Sequence, residues 1–346
     1  MYFEFSEEQQ SVRETARKFA EERIAPIQEV DEKKGIFRRE LIAEMGKLGF
    51  WGAIIPEEYG GSNIGFLGAV IITEELARIS ASYSGHFVSQ TVGPGLTILR
   101  QGTESQKIKY VPGLVNGDLI GSFASTEPNT GSDVASMKMT AKRNEKGFVL
   151  NGTKTWITNA TVADVCLIFA YTDKEKKHHG MSCFLVDMQN NSGISTHPIE
   201  KLGLSCSIAG EIIFQDVQIS PESMLGKEGS GFPILMEMLN STRLFAAARA
   251  MGVGRACLEA SVKYAQEREQ FGQPLGKFQM IQEQIAEMYV EHEAAKLLVY
   301  QAASNKDRGK QGASDVSVAK YYACESAVKA ADMTLKIFGS YGYSME

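Results

Sequence analysis

The 346-residue sequence has no apolar run approaching the length of a membrane-spanning helix. Its opening, MYFEFSEEQQ, lacks the basic and apolar regions of a secretory leader. Cys166, Cys183, Cys206, Cys257 and Cys324 show no paired spacing, which predicts a reducing compartment and not a disulfide scaffold. The expected location is the cytoplasm, or the mitochondrial matrix in a eukaryote. Lysine and arginine form no cluster, and a net charge of −6 with a pI near 5.6 argues against a nucleic-acid footprint. Also missing are a phosphate-loop GxxxxGKS/T, a metalloprotease HExxH and a nucleophile-elbow GxSxG. The run 252-GVGRAC-257 lacks the third glycine of a dinucleotide fingerprint and sits within a helical pattern, so a Rossmann domain is not expected. The pair His178-His179 lies in the charged turn 173-DKEKKHHG-180 without further ligands, so no metal is expected there. His197 and His292 have no evident partner in the sequence.

What is present is an ordinary globular composition, 43% hydrophobic and 23% charged, sufficient for a well-buried core. Three zones follow one another. Residues 1–118 read as helical: Ser6 and Gln9 have capping-box spacing, and Phe19, Ile24 and Ile27 recur at helical intervals. The loop 56-PEEYGGSN-63 interrupts this zone with turn formers. The nearly uncharged stretch 83-YSGHFVSQTVGPGLTIL-99 reads as a buried helix, either a pocket wall or ordinary core. Over residues 119–227 short β-branched and aromatic runs alternate with turn residues, which predicts an antiparallel sandwich or barrel. From 228 to 346 long stretches with i, i+3, i+4 periodicity (233–268, 276–307 and 313–338) predict a domain of four-helix-bundle type. The fold class is α+β, in the order helical, β, helical, which by itself assigns no function.

Two stretches carry more. In 122-SFASTEPNTGSDVASMK-138 a strand ends in dense turn chemistry, whose hydroxyls and backbone N–H groups suit an anionic or heteroaromatic ligand. Most such runs are structural. In 151-NGTKTWITNA-160 the Asn-Gly pair is a hairpin signal. The strand behind it carries Trp156 and Thr158 on one face, a platform for a flat cofactor or else a tryptophan packed under a turn.

Taken together, 126-TEPNTGSD-133 and 151-NGTKTWITN-159 resemble the paired signatures of the acyl-CoA dehydrogenase family. The likeness extends to Glu267, Arg268, Gln270, Phe271, Gly272, Pro274, Phe278 and Gln279, to 240-NSTR-243 and to the opening 5-FSEEQQSVRETARKFAEE-22. It spans essentially the whole chain. The resemblance implies FAD as cofactor. By position, Phe123, Ser125, Thr126, Gly131, Ser132, Trp156, Ile157 and Thr158 would hold the isoalloxazine side, with Thr158 donating near N5 and so favouring the reduced flavin. Arg268, Phe271 and Gln279 would reach the FAD of a neighbouring subunit, where Arg268 can pair with pyrophosphate. Lys336, Gly339 and Ser340 match adenine-side contacts. There the family has glutamine in place of Lys336 and a second glycine in place of Ser340. Ser132, Asn240 and Arg243 match the acyl-CoA path, and Thr91 lies on the small-residue wall beside it.

The implied reaction is α,β-dehydrogenation of an acyl thioester: a carboxylate takes the α-proton, the β-hydrogen leaves as hydride to the flavin, and an electron-transfer flavoprotein receives the electrons. A homotetramer is implied. A flavin oxidase or an enoyl-CoA reductase on the same scaffold, or a non-catalytic acyl-CoA- or FAD-binding relative, are the alternatives. The catalytic base is unassigned, since Thr242 matches the branched-chain glutamate position and the usual glutamate is expected beyond residue 346, after 339-GSYGYSME-346. A naturally short relative or a base elsewhere are the other expectations. Ser84 stands where glutaryl-CoA enzymes hold an arginine, which disfavours a dicarboxylic substrate. Ser89, Thr91, Gly93 and Ala246 to Ala248 leave room for a short, branched or alicyclic acyl group, or a straight medium chain.

Overall fold

The computed structural model describes residues 5–189, 191–310 and 312–344. Met345 and Glu346, at the end of the glycine-rich turn, lie outside the described residues. The first helix, α1 (Glu7–Phe19), starts as the sequence reads. Gln9 N donates to the Ser6 hydroxyl at 3.2 Å, and Ser6 N donates to the Gln9 amide oxygen at 3.1 Å. It is followed by α2 (Gln28–Lys34), α3 (Arg39–Lys47), α4 (Gly65–Ile79), α5 (Ala81–Phe87), α6 (Leu96–Gln101) and α7 (Glu104–Val115). Between α5 and α6 the chain widens into a π-helical turn, Val88–Gly95, buried from Ser89 to Gly95. Pro94, which has no N–H to give, and Gly93, which lies against Phe123, explain why an ordinary α-turn does not continue.

The β zone is one eight-stranded sheet. Its strands are β1 (Gly121–Ala124), β2 (Thr140–Asn144), β3 (Gly147–Thr158), β4 (Val165–Tyr171), β5 (Met181–Asp187), β6 (Ile194–Ile199), β7 (Ala209–Ile219) and β8 (Met224–Leu225). They run in the order β6-β7-β3-β2-β4-β5-β8, with β1 beside β4. Most pairings are antiparallel as expected; the two parallel ones both involve β4, with β1 and with β2. All seven residues of β4 are buried, which fits a central strand covered on both faces.

One expectation is corrected. Asn151-Gly152 is not a hairpin turn but lies inside β3. The β2–β3 turn is made instead at residues 145–146, because Asn144 pairs with Gly147. Gly152 serves a close approach: a Cβ there would meet Met139 at 2.8 Å, and the β3–β7 register slips by one residue beside it. Asn151 turns outward and exchanges hydrogen bonds with Asp216.

The last zone holds α8 (Gly231–Glu267), a two-stranded ribbon of β9 (Glu269–Gln270) and β10 (Gln273–Pro274), α9 (Gln279–Asp307) and α10 (Ala313–Phe338). No described helix is long and apolar enough to cross a membrane.

By internal packing the chain forms two compact units. One comprises residues 1–28, 65–85 and 243–346, the other residues 29–64 and 86–242. The first is assembled from three separated pieces of sequence. Its centre is charged: Glu74 and Glu75 of α4 are 1% and 0% exposed, and Arg255 of α8 lies 3.5 and 2.9 Å from them. Arg13 and Arg17 of α1, Arg78 of α4 and the Tyr300 hydroxyl are further partners, as burying two carboxylates requires. Asp307, at the end of α9, caps the start of α4 by accepting from Phe66 N at 2.6 Å and Leu67 N at 3.0 Å. The second unit contains the sheet, with a core that includes Leu167, Phe169, Leu185 and Leu235 on one side and Ile157, Ile168, Phe184 and Phe214 on the other.

Candidate functional site

Both signature stretches fall in the sheet-containing unit, and the structure joins them. β1 ends at Ala124, and Ser125 and Thr126 lead into a turn closed by reciprocal hydrogen bonds of 3.0 Å between the backbones of Glu127 and Thr130. Thr155 N donates to Thr126 O at 3.0 Å, and the Ser122 hydroxyl donates to Thr158 O at 2.7 Å. Asn159 fastens the end of β3 by donating through Nδ2 to Gly121 O at 3.0 Å and to the Ser89 hydroxyl at 3.1 Å. Gln90, from the π-helical turn, donates to Leu114 O at 2.8 Å and accepts from Gly121 N at 2.9 Å. Ser125–Thr126 and Trp156–Thr158 therefore form one rigid patch.

Trp156 stands out within it. Its φ is +59°, an outlier for a bulky side chain that costs about 1–3 kcal/mol and persists only where the surroundings impose it. A bulge imposes it: Lys154 pairs with Ile212 and Ile157 with Gly210, so β3 carries one more residue than β7 over this interval. The indole is pushed outward and is 60% exposed. Thr158 is half-buried on the same side, whereas Ile157 is 3% exposed and packs in the core, so only its backbone can face a ligand. The expectation of a shared face for Trp156 and Thr158 holds, through a bulge and not through plain alternation.

Of the other residues singled out, Phe123 is half-buried beside Gly93, and Gly131 and Ser132 are exposed at the turn. A Cβ at Gly131 would meet nothing within 4 Å, so the turn opens onto free space. Thr91 is 2% exposed and spends its hydroxyl on Trp51 O at 2.8 Å, which makes it packed wall. Thr242 is 9% exposed and its hydroxyl donates to Leu239 O. Asn240 is half-buried on α8. Arg243, Arg268, Phe271, Gln279, Lys336, Gly339 and Ser340 belong to the other unit, and all seven are exposed. Lys336 pairs with Asp332 at 2.6 Å. Gly339 takes the positive φ of its turn, +60°, so Ser340 carries no backbone strain. Phe271 and Gly272 form the two-residue tip of the β9–β10 ribbon with φ of +52° and +76°, and the Phe271 ring is 94% exposed.

The residues that sequence reasoning passed over are Lys154, Glu127, Gln90 and Asn159, all buried: Lys154 and Glu127 pair with each other, Gln90 bonds to the backbone, and Asn159 donates through Nδ2 to Gly121 O and the Ser89 hydroxyl. A lysine within an otherwise inward-facing strand segment is the signal that could have found the first. A cleft of about 330 Å³ between α2 and the β6–β7 connection includes Ile208 and Ala209, the register partner of Thr158, among its walls. No group of three potential metal ligands occurs among the described residues.

Within the sheet-containing unit, the exposed indole, the hydroxyls beside it and the open glycine turn with its free backbone suit a flat heteroaromatic, and so fit FAD. Known proteins agree. The sequence matches the family models described as acyl-CoA dehydrogenase N-terminal domain over residues 6–118, middle domain over 122–217 and C-terminal domain over 229–346. It is 44% identical over 350 residues to a glutaryl-CoA dehydrogenase of Desulfococcus multivorans, covering all of this chain and 90% of that one. It is 39% identical to the subunit CarC of the caffeyl-CoA reductase-Etf complex of Acetobacterium woodii, covering 99% and 90%. A solved glutaryl-coenzyme A dehydrogenase in complex with glutaryl-CoA superposes with a TM-score of 0.98 at 44% identity, over 99% of this chain and 88% of that chain.

Proposed function

Because the chain belongs to the acyl-CoA dehydrogenase family, whose members are FAD-dependent oxidoreductases, we propose that the Ser125–Thr126 and Trp156–Thr158 patch is where it holds FAD for the α,β-dehydrogenation of an acyl-CoA thioester. The observation that carries this reading is the strained, outward Trp156 tied by its neighbours to the TEPNTGSD turn. Bound FAD supplies the acceptor for the hydride that leaves the substrate β-carbon.

The chain's own residues bind, orient and exclude water. Trp156 offers an aromatic face, and the Thr158 hydroxyl is a donor whose backbone is fixed by Ser122. Phe123, Gly131 and Ser132 line the open turn. Arg268 and the bare ring of Phe271 have the charge and exposure to reach cofactor bound by a second copy of the chain, which supports a homo-oligomer in the family's tetrameric form. Over residues 86–99 the only titratable side chain is His86, so this wall offers no cation to a distal carboxylate. That supports a substrate with a short, branched or alicyclic apolar acyl group. Electrons pass to an electron-transfer flavoprotein, a reading supported by the Etf-complex subunit among the relatives.

The test is anaerobic mixing of the yellow holoprotein with saturated acyl-CoAs while the flavin absorbance is followed. Bleaching by a short or branched member of the panel is the expected result. Protein that stays yellow with every acyl-CoA sinks the dehydrogenase reading, and protein that takes up no FAD sinks the cofactor site.

A further inference from the structure

We propose that Lys154 and Glu127 are positioning residues for the cofactor: their buried ion pair locks the Trp156 bulge and the TEPNTGSD turn into one preformed platform before FAD arrives. The proposal rests on the reading that this patch holds FAD.

Lys154 lies two residues before Trp156 and is 0% exposed; Glu127 is 6% exposed. An ammonium taken wholly out of water is tolerated only with close partners. Here Nζ donates to Glu127 Oε1 at 2.9 Å and to the Ser125 carbonyl at 3.2 Å, and lies 3.7 Å from Met137 Sδ. Burial pulls the Lys154 pKa below its usual value, and the Glu127 carboxylate opposes that pull.

Glu127 is equally committed. Its Oε2 accepts from Lys138 N at 2.6 Å and its Oε1 from Met139 N at 2.9 Å. One carboxylate therefore pins the start of the turn, at 127, to its end, at 138–139, while one ammonium pins β3 to Ser125. No apolar residue of the same volume could make these four bonds at once.

The consequence for Trp156 follows from strand geometry. In a regular strand, residues 154, 156 and 158 share a face; Lys154 points into the core and Trp156 points out. The extra residue between Lys154 and Ile157 absorbs that reversal. It survives because both ends are anchored, Lys154 by the ion pair and Ile157 by its core packing. Opposite Ile157, Gly210 lies so close to His197 O that a Cβ would sit 2.5 Å from it. Releasing the Lys154 end lets the bulge slide and Trp156 leave its left-handed backbone conformation.

The experiment compares Lys154→Met and Glu127→Gln with wild type by titrating FAD-depleted protein with FAD. The FAD dissociation constant is expected to rise about tenfold or more, as when the groups orienting a site's ligands are removed. The absorbance envelope and two-electron potential of the flavin still bound should shift as well, which a role in general stability would not cause. In FAD-free protein the indole of Trp156 gives a second readout. Trp51, the other tryptophan, is 0% exposed and removable as Trp51→Phe, and Trp156 anisotropy in that background should fall when Lys154 is replaced. If Lys154→Met does not fold, Glu127→Gln, which keeps a carbonyl for one of the two N–H donors, carries the same measurements. Wild-type dissociation constant, spectrum, potential and anisotropy in the variants overturn the proposal. Trp156→Ala and Thr158→Ala separate the two levels: if they weaken FAD and the clamp variants do not, only the clamp is wrong. If they leave FAD binding untouched, the site reading itself fails.

Discussion

At the scale of single residues, His86 makes the clearest physical statement. It is 1% exposed, edge-on to the Phe37 ring at 5.3 Å. Burial, with the positive charge of Lys201 adding to it, lowers its pKa from 6.5 to about 4. A histidine held neutral in the fold binds a proton first in the unfolded chain. Its contribution is therefore intact above pH 6.5 and is lost as the pH falls from there towards 4. The expected cost is about 2 kcal/mol between pH 7 and pH 5, read as a drop in the urea midpoint. His86→Gln should flatten that slope whatever its effect at pH 7, and an unchanged slope would show that the imidazole titrates alike in the folded and unfolded chain. Gly93 is the second such residue. A Cβ there would lie 2.6 Å from Phe123 Cδ1 and 2.9 Å from Val88 O. Gly93→Ala is expected to cost about 1–3 kcal/mol of stability and to displace Phe123. A loss of FAD affinity in the same titration would tie that displacement to the cofactor patch; unaltered affinity would remove Phe123 from it.

At the scale of elements, the β9–β10 ribbon ends in a turn that demands positive φ at both central positions, where Asn-Gly is the unstrained choice and this chain has Phe-Gly. Phe271→Asn should therefore raise the thermal stability of FAD-free protein, by about 1 kcal/mol, while lowering FAD retention. A gain in stability with retention unchanged would mean that the ring has no part in binding. The same elements show what was legible in advance. The Ser6 capping box, the three long helices and the buried stretch at 83–99 could be read because their causes are local: hydroxyl and amide three residues apart, apolar residues on one helix face, an absence of charge. Asn151-Gly152 misled because a turn signal carries no information about Met139, the neighbour that requires the glycine. The outward Trp156 was found, but its cause was not, since a bulge depends on register with β7, some 55 residues on. The Lys154–Glu127 pair was invisible for the same reason, two charges 27 residues apart each looking solvated on its own. The residues named for the flavin patch were reached by likeness; the bonds that hold them in place depend on contacts distant in sequence.

At the scale of the whole molecule, the proposed reach of Arg268 to the cofactor of a second copy can be tested. Arg268 is exposed beside the ribbon and carries no described ion pair. Arg268→Ala is expected to weaken FAD retention and oligomer stability together, measured by bound flavin per chain and by elution volume across a dilution series. Full retention of FAD in the variant would show that the contact across subunits does not exist.

The interleaving of the first unit has a consequence in time. A ribosome delivers α1 and α4 long before α8, yet Glu74 and Glu75 of α4 are matched in part by Arg255, and α4 is capped by Asp307, 241 residues after Phe66. Through most of synthesis these helices have a half-neutralised acidic centre and an uncapped start, while residues 86–242, an uninterrupted stretch, can already pair their strands. Nascent chains halted before Arg255 emerges should keep α1 and α4 open to protease or chaperone, and should close over them only once α9 has left the exit tunnel.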